Sequence, residues 1–269
     1  MNIAVFGLGH VGCVSAVCFA RAGHRVTGVD LNETKVSLVN AGRSPILEPG
    51  LGELLARVVA SGRLSATSDA AAAVRESHVA LVCVGAAGAG YGRLVEAIDR
   101  VGRQIGAAIP AGNEPYTVVL RRAVLPGTTE RVLLPALLAG LNGRPGARVR
   151  VAMHPEFTRK GSSIDDFHAP AMIVVGTDDP GAAALVRSMY SGVKAPFVHT
   201  TTPTAELAKY ASESPQGPMF DGVAGLSALA DSLGADADDA RRILALNQEG
   251  GYGWTRPRRM AYRTSPAVS

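Results

Sequence analysis

Short apolar runs alternate with longer amphipathic stretches over about the first 200 residues. The runs predict strands at 2–6, 25–29, 64–67, 79–84, 117–120, 148–153, 171–176 and 196–199. Between them, helical spacing predicts helices near 33–40, 50–61, 94–108 and 179–190. Asp69 is placed to cap an Ala-rich helix, and Leu125-Pro126-Gly127-Thr128-Thr129 to open another. Strands alternating with helices make a doubly wound parallel α/β sheet over residues 1–201. From Thr202 the pattern is wholly helical. Helices are expected at 204–213, 220–233 and 236–246, with Pro215 and Pro218 breaking the path between the first two. This makes 202–249 a small helical linker or dimerisation region and 250–269 an irregular tail.

The first strand runs straight into Gly7-Leu8-Gly9-His10-Val11-Gly12 and then into a helix. In that context each glycine has a physical reason to be there. Gly7 permits the turn, Gly9 the close approach of a diphosphate, and Gly12 the close packing of helix on strand. The helix start offers free N–H donors to phosphate oxygens. The second strand ends at Asp30, whose carboxylate suits two ribose hydroxyls and repels a 2′-phosphate, so NAD is expected over NADP. The Gly-rich loop 85–90 follows another strand end, where ligands of open α/β sheets bind.

Composition narrows the classes. Hydrophobic residues make up 47% of the 269 and aromatics only 5%, which suits a buried parallel sheet. A net charge of +4 is scattered until Arg256, Arg258, Arg259 and Arg263, so no nucleic-acid footprint emerges and the basic end reads as a solvated tail. Cys13, Cys18 and Cys83 lack metal-ligand spacing and read as buried, reduced thiols. Asp165, Asp166 and His168 form a polar cluster without metal spacing. No long apolar run or leader pattern stands before the first strand, so a cytoplasmic protein without a membrane partner is expected.

Several stretches resemble the UDP-glucose/GDP-mannose dehydrogenase family. They are 6–15, 28–32 with Lys35-Val36, 44–51, 82–85, 124–129, Pro155-Glu156-Phe157 and Ala205-Glu206-Leu207-Ala208-Lys209-Tyr210. The resemblance covers residues 1 to about 213 and is strongest toward GDP-mannose dehydrogenases. It implies a cofactor site at Gly7, Leu8, Gly9, His10, Val11, Gly12, Asp30, Lys35, Val84, Gly85, Ala86 and Ala123, with NAD as cofactor. It implies a sugar or nucleotide-sugar substrate, and Glu156 and Lys209 at the chemistry. Such enzymes oxidise a C6 alcohol twice, through a cysteine thioester.

The chain departs from the family where that chemistry resides. No cysteine follows Cys83. The family's water-orienting threonine is replaced by Ala123, the threonine after Gly85 by Ala86, a second glutamate by Lys160, and an asparagine after the helical lysine by Glu213. His154 stands where the family has a polar residue such as asparagine; a proton shuttle or a solvated loop histidine is expected there. The candidate catalytic set is therefore Lys209, Glu156, Glu213, His154 and Lys160. Such a set favours one two-electron oxidation, or a redox-neutral epimerisation, over the double oxidation. The alternative is a non-catalytic, NAD- or partner-binding relic of a dehydrogenase. Val223, Leu226, Leu229, Ala230 and Leu233 form an apolar stripe at helical spacing, expected to seat a second subunit in a homodimer.

Overall fold

The computed structural model describes residues 1–85, 90–112, 114–213 and 223–249. The loop at 86–89, Pro215, Pro218 and the tail beyond 249 lie outside the described residues. Eight strands form one sheet: β1 (Asn2–Phe6), β2 (Arg25–Val29), β3 (Leu64–Thr67), β4 (Val79–Val82), β5 (Tyr116–Leu120), β6 (Val149–Met153), β7 (Ile173–Gly176) and β8 (Phe197–Thr200). Their order across the sheet is β3-β2-β1-β4-β5-β6-β7-β8. Every pairing is parallel except β6 with β7, which run antiparallel and register only at Met153 and Gly176. The doubly wound parallel sheet expected from the pattern is found, with that one antiparallel junction. A loop and the short helix Ser163–His168 join the two strands.

Strand alternation divides the core. Ala4 and Phe6 face one side, Ile3 and Val5 the other. On the first side lie α4 (Ala70–Arg75), α5 (Gly90–Ala108), α6 (Leu134–Leu141) and three later helices, α9 (Thr202–Glu213), α10 (Val223–Leu233) and α11 (Ala237–Asn247). On the second lie α1 (His10–Arg21), α3 (Leu51–Ala60), α7 (Ser163–His168) and α8 (Pro180–Met189), with α2 (Glu33–Asn40) beside β3. Asn32, Asp69, Asp179 and Asp236 cap α2, α4, α8 and α11 by accepting backbone N–H bonds.

Two local expectations are corrected. The strand at 79–84 ends at Val82, where the chain turns up into the loop, and α5 starts at Gly90, four positions before the apolar periodicity becomes legible. The Pro126 turn opens first into a π-helical turn, Thr129–Leu133. Pro135 lacks the N–H that would bond the Arg131 carbonyl, and Leu134 N–H reaches back to Thr129 instead. The polar cluster at 165–168 is the helix α7, with Asp166 buried and bound to Arg159 at 2.7 Å.

In the apolar stripe, Leu226 is 3% exposed and Ala230 is 0% exposed, within the same core as Leu207, Ala208, Ala240 and Ile243. Leu229 and Leu233 pack against that core too. These four residues therefore pack on the chain's own sheet layer, and the Val223 side chain lies outside the described residues. Among the described residues no helix is long and apolar enough to cross a membrane.

Candidate functional site

A cleft of about 390 Å³ opens at the carboxyl ends of β1, β2 and β4. Its floor is the glycine loop. Gly7 has φ +94°, and a Cβ there would lie 2.9 Å from the Val84 Cα. A Cβ at Gly12 would lie 1.8 Å from the Gly7 carbonyl oxygen, so α1 can start this close to β1 only with glycine. Gly9 differs: a Cβ there meets nothing within 4 Å, because it faces the open cleft. Gly9 provides no side-chain cap and the first turn of α1 has no acidic residue, so its N–H donors stay available to an anion.

Leu8 is buried and packs under Gly28, with Val11 against the second core; both shape the loop from behind. Asp30 ties this loop to β2. Its Oδ2 accepts from Leu8 N–H at 2.7 Å, its Oδ1 from Asn32 N–H at 2.9 Å, and Lys35 Nζ stands 3.3 Å from Oδ2. The structure thus brings Gly7, Gly9, His10, Asp30, Lys35, Val84 and Gly85 onto one cleft. Ala86 lies outside the described residues, and Ala123 does not line the cleft. A dinucleotide fits this donor set: a side-chain-free diphosphate floor, uncapped helix N–H groups, and a carboxylate at the ribose position.

Ser68, Arg100, Gln104 and Arg122 also line the cleft and were not anticipated. Arg100 and Gln104 share a helix face at i,i+4 spacing, a signal available in the sequence. Arg121 and Arg122 follow β5, and alternation sends them opposite ways. Arg121 Nε donates to Ser15 Oγ at 2.9 Å on the α1 side, while the Arg122 guanidinium lies against Gly85.

The candidate catalytic residues form a separate group beyond β6. Lys209 is buried on α9; its Nζ lies 2.8 Å from Glu213 Oε1 and 4.8 Å from the Phe157 ring centroid. Glu213 itself is exposed. Glu156 is half-buried and accepts a hydrogen bond from the Thr158 backbone. Burial raises its carboxyl above the ordinary value, opposed by the charges of Arg121, Lys209 and His10. Neither Lys209 nor Glu156 lines the dinucleotide cleft, but His10, on the cleft wall, is near enough to act on Glu156. Lys160 is exposed on a turn and joins neither group.

His154 is corrected outright: it is neither solvated nor on the cleft. It is 3% exposed, with Nδ1 at 2.7 Å from the Val174 carbonyl and Nε2 at 2.7 Å from Tyr190 Oη. A carbonyl only accepts, so Nδ1 carries the proton and Nε2 accepts from the tyrosine. Burial, then the charge of Arg121, holds the ring well below the ordinary histidine range, neutral and structural.

Glu206, unremarked in the sequence beyond its motif, is fully buried. It accepts from Gly127 N–H at 2.5 Å, Thr129 N–H at 2.8 Å and Thr129 Oγ1 at 2.6 Å. The three cysteines are buried, and burial pushes each thiol up to about 12. Among the described residues no group of three or more His, Cys, Asp or Glu is placed to hold a metal.

Fold and cleft together define a Rossmann-type dinucleotide-binding protein. Residues 1–194 match the model of the UDP-glucose/GDP-mannose dehydrogenase family, NAD binding domain, and the chain belongs to that family. It is 40% identical over 211 residues to a GDP-mannose 6-dehydrogenase of Pseudomonas putida, covering 78% of this chain and 48% of the relative. Against a UDP-glucose 6-dehydrogenase of Rhizobium meliloti it is 36% identical over 256 residues, 92% of this chain and 56% of the relative. A solved ternary complex of GDP-mannose dehydrogenase from Pseudomonas aeruginosa superposes with a TM-score of 0.75 at 35% identity, over 91% of this chain and 56% of that one. The chain spans about half the length of these relatives. It carries their NAD-binding domain.

Proposed function

We propose that the chain is an NAD-dependent oxidoreductase acting on a nucleotide-linked or small sugar alcohol, limited to a single two-electron step. Net oxidation would release an aldehyde or ketone; return of the hydride would make the reaction an epimerisation. The observation that carries this reading is a dinucleotide cleft in a sequence whose three cysteines, Cys13, Cys18 and Cys83, are buried with their ionisation suppressed. None supplies the thiolate that a thioester route requires.

Bound NAD supplies the hydride acceptor. The N–H groups at the start of α1 would hold its diphosphate, and Asp30 with Lys35 would hold the ribose. Lys209 steadies the developing alkoxide by its charge, and Glu156 takes the alcohol proton. Glu213, paired with Lys209, keeps that ammonium oriented.

A second reading is favoured by one specific observation. Lys209 is already engaged by Glu213 and Phe157, and neither Lys209 nor Glu156 reaches the cleft. On this reading the chain binds NAD or a partner without turnover. Incubation of the purified chain with NAD and GDP- or UDP-linked sugars separates the two. Reduced-nicotinamide absorbance with an aldehyde, or an epimer found by mass and chromatography, supports the enzyme. A uronic acid formed without any partner excludes the one-step limit. NAD binding with no product, unchanged in Lys209→Ala and Glu156→Ala, supports the relic.

A further inference from the structure

We propose that Arg122 is a diphosphate-binding residue of the dinucleotide cleft. The inference deepens the NAD-binding reading and rests on it. Four observations carry it. Arg122 lines the cleft together with Gly7, Gly9 and His10. Its Nε is buried and has no hydrogen-bond partner among the described residues. No carboxylate among the described residues stands at ion-pair distance from it. Its guanidinium lies against Gly85, where a Cβ would sit 3.1 Å from Nη1, so that glycine is what leaves room for it beside the β4 terminus.

The charges of the cleft show why this cation, rather than another, fits the role. Asp30 is offset by Lys35 at 3.3 Å. Arg100 stands on the exposed face of α5, where water solvates it. Arg122 is left as a partly buried positive charge with an unmet donor, a condition that costs free energy unless an anion arrives. A diphosphate is such an anion, and its oxygens match the planar, multi-donor guanidinium geometry. The start of α1 supplies uncapped N–H groups to the same cleft, so the guanidinium and the amides can share one anion.

Titration calorimetry on the full chain tests this, using NAD, ADP, adenosine and GDP as probes against wild type, Arg122→Met and Arg122→Lys, with thermal melting as the folding control. The expected result is that Arg122→Met weakens NAD and ADP about tenfold and leaves adenosine unchanged, because one charge-assisted contact is lost. Arg122→Lys should recover part of the loss, and the salt dependence of NAD binding should be shallower in Arg122→Met. Equal losses for ADP and adenosine would mark a structural effect and overturn the proposal. So would NAD affinity that is unchanged in Arg122→Met, whether or not GDP binding falls. A wild type that binds neither NAD nor ADP overturns the dinucleotide reading itself, which separates the two failures.

Discussion

At the scale of single residues, Asp30 does two jobs that can be separated. Its charge disfavours a 2′-phosphate, and its oxygens hold the Leu8 and Asn32 amides. Wild type should therefore bind NAD at least about tenfold tighter than NADP, a difference of ~1.4 kcal/mol. Asp30→Asn should erase most of that preference while keeping an acceptor for the loop. Asp30→Ala should erase it and weaken both cofactors, as competitive titrations will show. His154 gives a second residue-scale expectation. Its folded pKa is depressed, so its contribution to stability is present above the unfolded value of about 6.5 and is lost as pH falls through the lower folded value. Denaturant midpoints should fall on acidification through that window, and less steeply in His154→Gln. The glycine fingerprint and Asp30 were legible because they obey a fixed spacing set by diphosphate and ribose geometry. His154 was not, because nothing in Met153-His154-Pro155 says that Tyr190 will cover it.

Among elements, a close backbone approach lies where α5 crosses α6. A Cβ at Gly106 would lie 2.2 Å from the Leu137 carbonyl oxygen, and one at Gly140 would lie 2.3 Å from that of Arg103. Backbones this close tolerate no added methyl without separation of the helices. Gly140→Ala should lower stability by about 1–3 kcal/mol with NAD affinity retained, read as a shifted urea midpoint at unchanged slope. Strand and helix positions were legible to within a few residues, since period-2 and period-3.6 patterns directly reflect which face is buried. The π-helical turn and the reversed β7 were not: each depends on a partner distant in sequence or on a missing N–H, and leaves no periodic trace.

For the molecule as a whole, the helical region is part of the domain that holds the cleft. Leu226 sits in the core shared with α9 and α11, so Leu226→Glu places an unpaired carboxylate among apolar neighbours and should cost several kcal/mol. The melting temperature should drop by the same amount at every protein concentration. A drop that vanishes on dilution would instead locate the leucine between subunits. The Glu206 carboxylate makes the same union in a finer way. It belongs to α9, yet it holds amides at Gly127 and Thr129, the former 79 residues earlier in the chain. Those amides can reach solvent only when α9 lifts away. In hydrogen-exchange terms, the Gly127 and Thr129 amides are expected to share one protection factor with the helix that bears Lys209 and to open with it as one unit.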